Sequence, residues 1–461
     1  MSLEQVLSHV DSCCDTYVAQ LREFVRIPSI SAGADGDAAA AIGRAADFLV
    51  ADFQRLELQA EKIQVTPDTN PLVLARPSTL SPQRPTVLIY GHYDVQGVDN
   101  PRSAWSYDPF AADLEDDFLL GRGASDDKGQ LMTHLKALDA FRALGEPLPI
   151  DPIFLIEGEE ECGSRALGRF LATGGLDPFA PLACAVVSDS SMYGPDRPSL
   201  TLGLRGIVYT EVAVRTLRQD VHSGLFGGIV HNPNHLLVRA LASLFSAEGG
   251  IAVPGFYDDV REPSARERES YASLPVDADE YRRTLGVETL IGEPGYSLLE
   301  QRWIRPTLEI NHLNGGSPRT VIPATAAAAI SCRLVPDQDP ARIEAALQEC
   351  IRARLPADIE AEFGKAHASP PYYLDIDHPL VTPTLRAIRT GFDIDPVLTR
   401  EGGSIPIVTD IVDRTGAPVL LVGFGQVTDN WHGPNERFSL RDYHRGIRTS
   451  AALFHELGQT A

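Results

Sequence analysis

The chain has 461 residues, with 63 Asp and Glu against 40 Lys and Arg, a formal net charge of −23. At 43% hydrophobic and 22% charged it lies in the globular range, long enough for two or three domains and too apolar for disorder. So large an acid excess disfavours nucleic-acid phosphates and acidic membrane surfaces as partners.

Residues 3–25 place Val6, Val10, Tyr17 and Leu21 near helical spacing. Acids at Glu4, Asp11 and Asp15 stand where a secretory leader would be basic. A β-rich run at 86–90 is bounded by Pro85 and Gly91, and 129–144 aligns Leu131, Leu135, Leu138 and Phe141 on one helical stripe. Short apolar runs follow at 153–156 and 183–187. A strand at 418–422 and a helix at 440–457 repeat the style at the far end. Strands alternating with helices predict an α/β fold with a doubly wound, mostly parallel catalytic sheet. No apolar run approaches the roughly 18 residues of a membrane span. Six cysteines without CxxC spacing are too sparse for a disulfide framework, so a cytoplasmic protein is expected.

The middle of the chain reads differently. A half-exposed strand at 207–214 and an amphipathic helix at 232–245 form one group. A strand at 326–334, a helix at 340–354 and a strand at 359–363 form another. This β-α-β pairing predicts an inserted α+β, ferredoxin-like lid and dimerisation domain. The expected division is 1–205 and 374–461 for the catalytic domain and 206–373 for the insertion, with charged residues 257–283 as an exposed excursion.

Chemistry gathers at strand ends. The first strand runs into Gly91-His92-Tyr93-Asp94, the second into the acidic run 157–161, and the third into Ser188-Asp189-Ser190. Open sheets bind ligands at that carboxyl edge. Between them, Asp126 and Asp127 open a predicted helix, where a carboxylate also suits the helix dipole. Singly, each cluster has an ordinary explanation as a cap or a solvated face. Jointly they crowd carboxylates, which repel unless cations compensate. Mixed imidazole and carboxylate donors suit zinc, manganese or cobalt. In His92-x-Asp94 the acid can hold the second imidazole nitrogen. A distant His432 can complete a two-metal site, whereas His134, His444 and His455 lie within predicted helices and read as structural.

The ordered series GHYDVQ at 91–96, GRGASDDKGQ at 121–130, EGEEECGS at 157–164, SDS at 188–190, HSGLFGG at 222–228 and EGGSIP at 401–406 resembles a known family. These are the cocatalytic two-metal metallopeptidases of the aminoacylase and carboxypeptidase type, in the branch of cytosolic non-specific dipeptidase and carnosinase. The resemblance runs from about residue 20 to the C-terminus. It implies that His92 and Asp189 hold one divalent ion, Glu161 and His432 the other, and that Asp126 bridges them, the ions being Zn2+ or Mn2+. It implies Glu160 as general base, with Asp94 beside His92. The acidic run has a third member, Glu159, and so admits a one-residue slip, against which Gly158 and Gly163-Ser164 argue.

The resemblance further implies that His222, reaching over from the partner subunit of a homodimer, donates to the tetrahedral oxyanion. It matches Arg333, Thr320, Gly403 and Ser404 to substrate contacts, Arg333 taking a free carboxylate as planar guanidinium does well. The implied activity is hydrolysis of dipeptides. An N-acyl amino acid deacylase with the same metals is the alternative, and an inactive metal-binding scaffold is the reading from outside enzymology. A nucleotide binder is poorly supported, since neither G-x-x-x-x-G-K-[ST] nor a strand-linked G-x-G-x-x-G occurs.

Overall fold

The computed structural model describes residues 2–31, 37–98, 102–364 and 367–460. The chain divides into two compact units. The first comprises Met1–Leu202, Leu374–Thr399 and Asp410–Ala461, the second Gly203–Tyr373 and Arg400–Thr409.

In the first unit, helices α1 (Leu3–Ser12), α2 (Cys14–Val25) and α3 (Asp37–Arg55) precede strands β1 (Gln59–Ile63), β2 (Leu72–Arg76) and β3 (Thr86–His92). The single helix expected over 3–25 is therefore two, parted at Cys13, whose φ of −107° and ψ of 8° leave the helical region. Helix α4 (Lys128–Ala143), β4 (Asp151–Glu157), α5 (Arg165–Ala172), β5 (Cys184–Val187) and β6 (Ser199–Leu204) follow.

The inserted unit is built on β7 (Gly206–Arg215), α6 (Pro233–Ala242), β8 (Thr307–Asn314), β9 (Thr325–Leu334), α7 (Pro340–Arg352) and β10 (Ala361–Phe363). Its sheet is antiparallel in the order β8-β9-β7-β10, the ferredoxin-like arrangement. Residues alternate along β7, so Val208, Val212 and Val214 meet Leu237 and Leu241 of α6 and Ile343, Leu347 and Ile351 of α7. The segment 257–283 is not simply an exposed excursion. Glu267, Tyr271 and Leu274 are buried, and the Glu267 carboxylate pairs with Arg400 of the same unit. That ion pair, with the Arg205 amide donating to the Gly403 carbonyl, ties residues 400–409 into this unit.

The chain then completes the first unit with α8 (Val381–Phe392), β12 (Val419–Leu421) and α9 (Leu440–Gly458), β11 (His367–Ser369) being a short partner of β7. The sheet order is β1-β2-β4-β3-β5-β12-β6. Strands β4, β3, β5 and β12 are parallel, and antiparallel β2 and β6 close them in, so the sheet is mixed. The parallel strands are buried on both faces, which is why they read as unbroken apolar runs. Strand β1, α3 and α8 carried no clear sequence signal. Helix α4 is buried almost all round, including Lys128, His134 and Lys136.

Candidate metal centre

Because β3, β4 and β5 run parallel, their carboxyl ends fall along one edge. His92, the last residue of β3, lies in register with Glu157, the last of β4. His92 is fully buried. Its Nδ1 lies 3.1 Å from the Asp94 carbonyl oxygen and 3.4 Å from Asp94 Oδ1. A carbonyl only accepts, so Nδ1 carries a proton, and whenever the ring is neutral Nε2 is left with its lone pair toward the site. That Nε2 is 3.1 Å from Asp126 Oδ1 and 3.8 Å from Asp189 Oδ2.

The other oxygen of Asp126 faces a second imidazole. His432 Nε2 is 3.0 Å from Asp126 Oδ2 and 3.2 Å from Glu161 Oε2. Two donor groups thus share one carboxylate: His92, Asp126 and Asp189, and Asp126, Glu161 and His432. Within each group the donor atoms all lie within 4.8 Å of one another. Both groups combine imidazole with oxygen donors and include no thiolate, a set that fits zinc or manganese. The carboxylates also have the unmet charge that a cation satisfies.

Surrounding groups hold these donors in place. The Asp94 carboxylate accepts the amides of Glu160 (3.3 Å) and Glu161 (3.1 Å), so one acid steadies both His92 and the acidic turn after β4. Glu161 is gripped by Gln96 through its amide (3.1 Å) and side-chain nitrogen (2.8 Å). Asp127 does not cap α4 with its side chain. Its Oδ2 accepts the His92 amide at 3.1 Å, and its Oδ1 is buried without a partner among the described residues. This approach requires Gly91, where a Cβ would stand 2.8 Å from Asp127 Oδ2. Gly158 is required likewise, because a Cβ there would meet the Tyr93 hydroxyl at 2.3 Å.

The acidic run separates by direction. Glu159 turns away from the imidazoles. Its carboxylate accepts the amides of Asn70 (3.1 Å) and Ala166 (2.8 Å), the latter at the start of α5, and pairs with Arg165. Glu161 faces His432, leaving Glu160 between them. Glu159→Ala is expected to cost about 2 kcal/mol in chemical denaturation, since it strands the buried Ala166 amide and the half-buried Asn70 amide, with kcat changed less than twofold. Glu157 is buried beneath the site, taking hydrogen bonds from the Tyr90 (2.8 Å) and Ser164 (3.0 Å) hydroxyls.

The electrostatics follow from this crowding. Burial pushes Glu160 up to about 7, with Glu161, Asp126 and Asp94 adding repulsion against the opposing pull of His92. Burial also raises Asp127 to about 8 and Glu157 to about 8, and Asp189 well above the usual carboxylate range. Burial would raise Asp126 too, but hydrogen bonds from His432 and His92 hold it well below. Hydrogen bonds to Asp126 and Glu161 raise His432 to about 10. His92 also lies high, its burial outweighed by Asp126 and Asp94. An acid near 7 beside an anionic carboxylate and two imidazoles is suited to proton transfer at neutral pH.

The remaining residues singled out in the sequence belong to the inserted unit. His222 is exposed, on a two-residue strand paired with Val321 and Ile322, and its Nδ1 accepts the Gly224 amide. Thr320 adjoins it, its carbonyl accepting from the Ser223 amide and hydroxyl. Arg333 Nη1 donates to Ser404 Oγ at 2.9 Å, and neighbouring Gly403 is exposed with open space beside its Cα. His134 is structural as expected, its Nε2 2.9 Å from Ser188 Oγ. Sequence reasoning assigned no part to Gln96, which ends the motif at 91–96, or to Glu436, four residues beyond His432. The signal was available in Gln96, four residues beyond His92.

Imidazole–carboxylate clusters and a buried acid at the carboxyl edge of an open α/β sheet define a metal-dependent hydrolase, here one acting on peptide bonds. The chain belongs to peptidase family M20/M25/M40, whose model matches residues 88–456. It is 31% identical to the Cys-Gly metallodipeptidase dug1 of Schizosaccharomyces pombe, over 100% of this chain and 99% of that protein. The crystal structure of human carnosine dipeptidase 1 superposes with a TM-score of 0.78 at 32% identity, covering 100% of this chain and 99% of that one. The M20 family metallo-carboxypeptidase Sso-CP2 of Sulfolobus solfataricus gives a TM-score of 0.81 at 28% identity, covering 96% and 99%. Among the described residues no helix is long and apolar enough to cross a membrane.

Proposed function

We propose that this protein is a cytosolic two-metal dipeptidase. The observation that carries the reading is the Asp126 carboxylate, with one oxygen 3.1 Å from His92 Nε2 and the other 3.0 Å from His432 Nε2. His92, Asp126 and Asp189 would hold one ion, and Asp126, Glu161 and His432 the other, zinc or manganese in each case. When bound, such ions act as Lewis acids and bring the pKa of water from 15.7 toward about 7. Glu160 accepts the proton of the attacking water as it adds to the amide carbonyl, then delivers that proton to the leaving amine nitrogen. Asp94 keeps Glu160 on station through its amide. His222, supplied by the partner subunit of a homodimer formed through the inserted unit, donates to the developing oxyanion. Leu225 and Ile229, 73% and 75% exposed in the turn after His222, are apolar side chains that such an assembly would cover. Six free cysteines fit a reducing compartment.

Arg333, hydrogen-bonded to Ser404 with Gly403 adjoining, would receive the carboxylate of the substrate, and Thr320, beside His222, would add a further substrate contact. Arg333→Ala is expected to lower kcat/KM for free dipeptides by about 10–100-fold, the worth of a charged hydrogen-bonded pair. Dipeptides amidated at the C-terminus should lose little. Equal losses for both substrate types would remove the carboxylate from the assignment. The function itself is tested by assaying unmodified dipeptides beside N-acetyl and N-succinyl amino acids, after chelation and ion-by-ion restoration. Dipeptide cleavage restored by zinc or manganese supports the reading, and turnover of the acyl compounds alone would replace it with a deacylase.

A further inference from the structure

The loop bearing His432 is held in an unusual way. Three of its non-glycine residues have left-handed backbone: Asn430 (φ 60°), His432 (φ 57°) and Asn435 (φ 63°). Such conformations persist where the surroundings impose them. Packing of the imidazole cannot be the cause, because the His432 side chain is 58% exposed. The restraint comes from the two ends of the loop. At its start, buried Asp429 accepts the Ser125 hydroxyl at 2.9 Å and the Gln426 amide at 2.8 Å. At its end, fully buried Glu436 gathers the segment that carries Asp126. Its Oε1 accepts the amides of Ser125 (3.0 Å) and Asp126 (3.1 Å), and its Oε2 accepts the Gly123 amide (2.9 Å) and Arg122 Nη1 (2.7 Å). Arg122 Nη2 closes the ring by donating to the Gly433 carbonyl at 2.9 Å.

Four donors fill the acceptor capacity of one carboxylate, so Glu436 has no oxygen free to serve as a metal ligand. What it does is join two loops that are more than 300 residues apart in sequence and carry the two residues facing each other across 3.0 Å. We infer that Glu436 is a positioning residue that sets His432 against Asp126 and so determines the affinity of the ion held by Asp126, Glu161 and His432. The inference rests on the two-metal reading. The carboxamide of Glu436→Gln has a single acceptor oxygen and would set its NH2 against two of the four donors. Orientation of ligands by such neighbours is worth about 10–100-fold in metal affinity.

The test is calorimetric titration of the chelated, full-length protein with Mn2+, and separately with Zn2+. Wild type should bind two ions. Glu436→Gln should bind one within about threefold of wild type and the other about 10–100-fold more weakly. Ser125→Ala, a milder change that removes the hydroxyl joining Asp429 to this segment, should weaken that same ion by about three- to tenfold. It decides the matter alone if Glu436→Gln does not fold. Glu267→Gln removes an equally buried carboxylate from the other unit and should leave both affinities unchanged. Two ions bound within threefold of wild type in both variants would overturn the inference, as would an equal loss at both ions. Wild type that binds a single ion would overturn the two-metal reading itself, and this inference with it.

Discussion

Glu160→Gln is expected to lower kcat by about a thousandfold, within the 10²–10⁴ range that a positioned general base contributes, while the purified variant keeps its full metal content. The second half of that expectation comes from the backbone. The turn is held by the amides of Glu160 and Glu161 on Asp94, and neither contact involves the Glu160 carboxylate. Glu161 keeps its grip from Gln96 and its place 3.2 Å from His432 Nε2. The amide is also nearly isosteric, so binding of substrate should be spared and KM should move less than about threefold. Steady-state kinetics with a dipeptide, beside elemental analysis for metal, checks both parts. A variant within tenfold of wild-type kcat would remove Glu160 from the proton-transfer role. Glu159→Ala is the natural companion, because its effect should appear in stability and not in turnover.

Metal affinity should fall steeply as pH is lowered, and the chelated protein should respond to pH in the opposite sense. His92 and His432 hold protons more tightly in the folded chain than in the unfolded one, His432 up to about 10 against an ordinary value of about 6.5. Metal needs the neutral ring, so loading displaces these protons. Each displaced proton makes the affinity about tenfold weaker per pH unit on descent. With both imidazoles involved, a change from pH 8 to pH 7 should weaken binding of the pair by about a hundredfold. Calorimetry in two buffers of different ionisation enthalpy should count more than one proton released at pH 7.

Without metal, a raised histidine contributes stability that is complete below about 6.5 and lost as pH climbs toward 10. The raised carboxylates act in the same direction. Glu160 near 7 and Asp127 and Glu157 near 8 bind protons in the folded chain that the unfolded chain has already released, so stability drains away from about pH 4 to 8. Asp126 acts oppositely, its contribution being present above its unfolded value and lost only in acid. The chelated protein should therefore melt at progressively lower temperature from pH 6 to pH 9, and added zinc or manganese should flatten or reverse that slope. Parallel slopes with and without metal would exclude these groups as the metal site.

The difference between Glu159 and Glu160 marks where local reading stops. The four acids of the run 157–161, with one glycine among them, are chemically alike, and spacing relative to Gly158 and Gly163 was the sole guide to their order. Their directions depend on Asn70 and Ala166 waiting for Glu159 and on Asp94 waiting beneath the next two amides. Those partners lie as far as 89 residues away in sequence. Similarly, the parallel strands were legible because burial on both faces leaves an unbroken apolar run, whereas β8 was not. After Leu308 that strand is exposed to its end, so no buried face imprints an alternation on it.

Local motifs, through the family they resemble, named the candidate donors. A histidine or carboxylate directly after an apolar run marks the carboxyl end of a buried strand, and several such ends in an open sheet share one edge. The excess of acid, the absence of long apolar segments and the paired β-α-β pattern in the middle were equally local properties, each written in consecutive residues. Three-dimensional folding decided which of these side chains lie together. It brought Asp126 between His92 and His432, set Asp127 on the His92 amide instead of on its own helix, and used Glu436 to clamp two distant loops. Hydrogen-bond partners separated by hundreds of residues leave no periodic trace, because each contact is one pair closed by the rest of the fold.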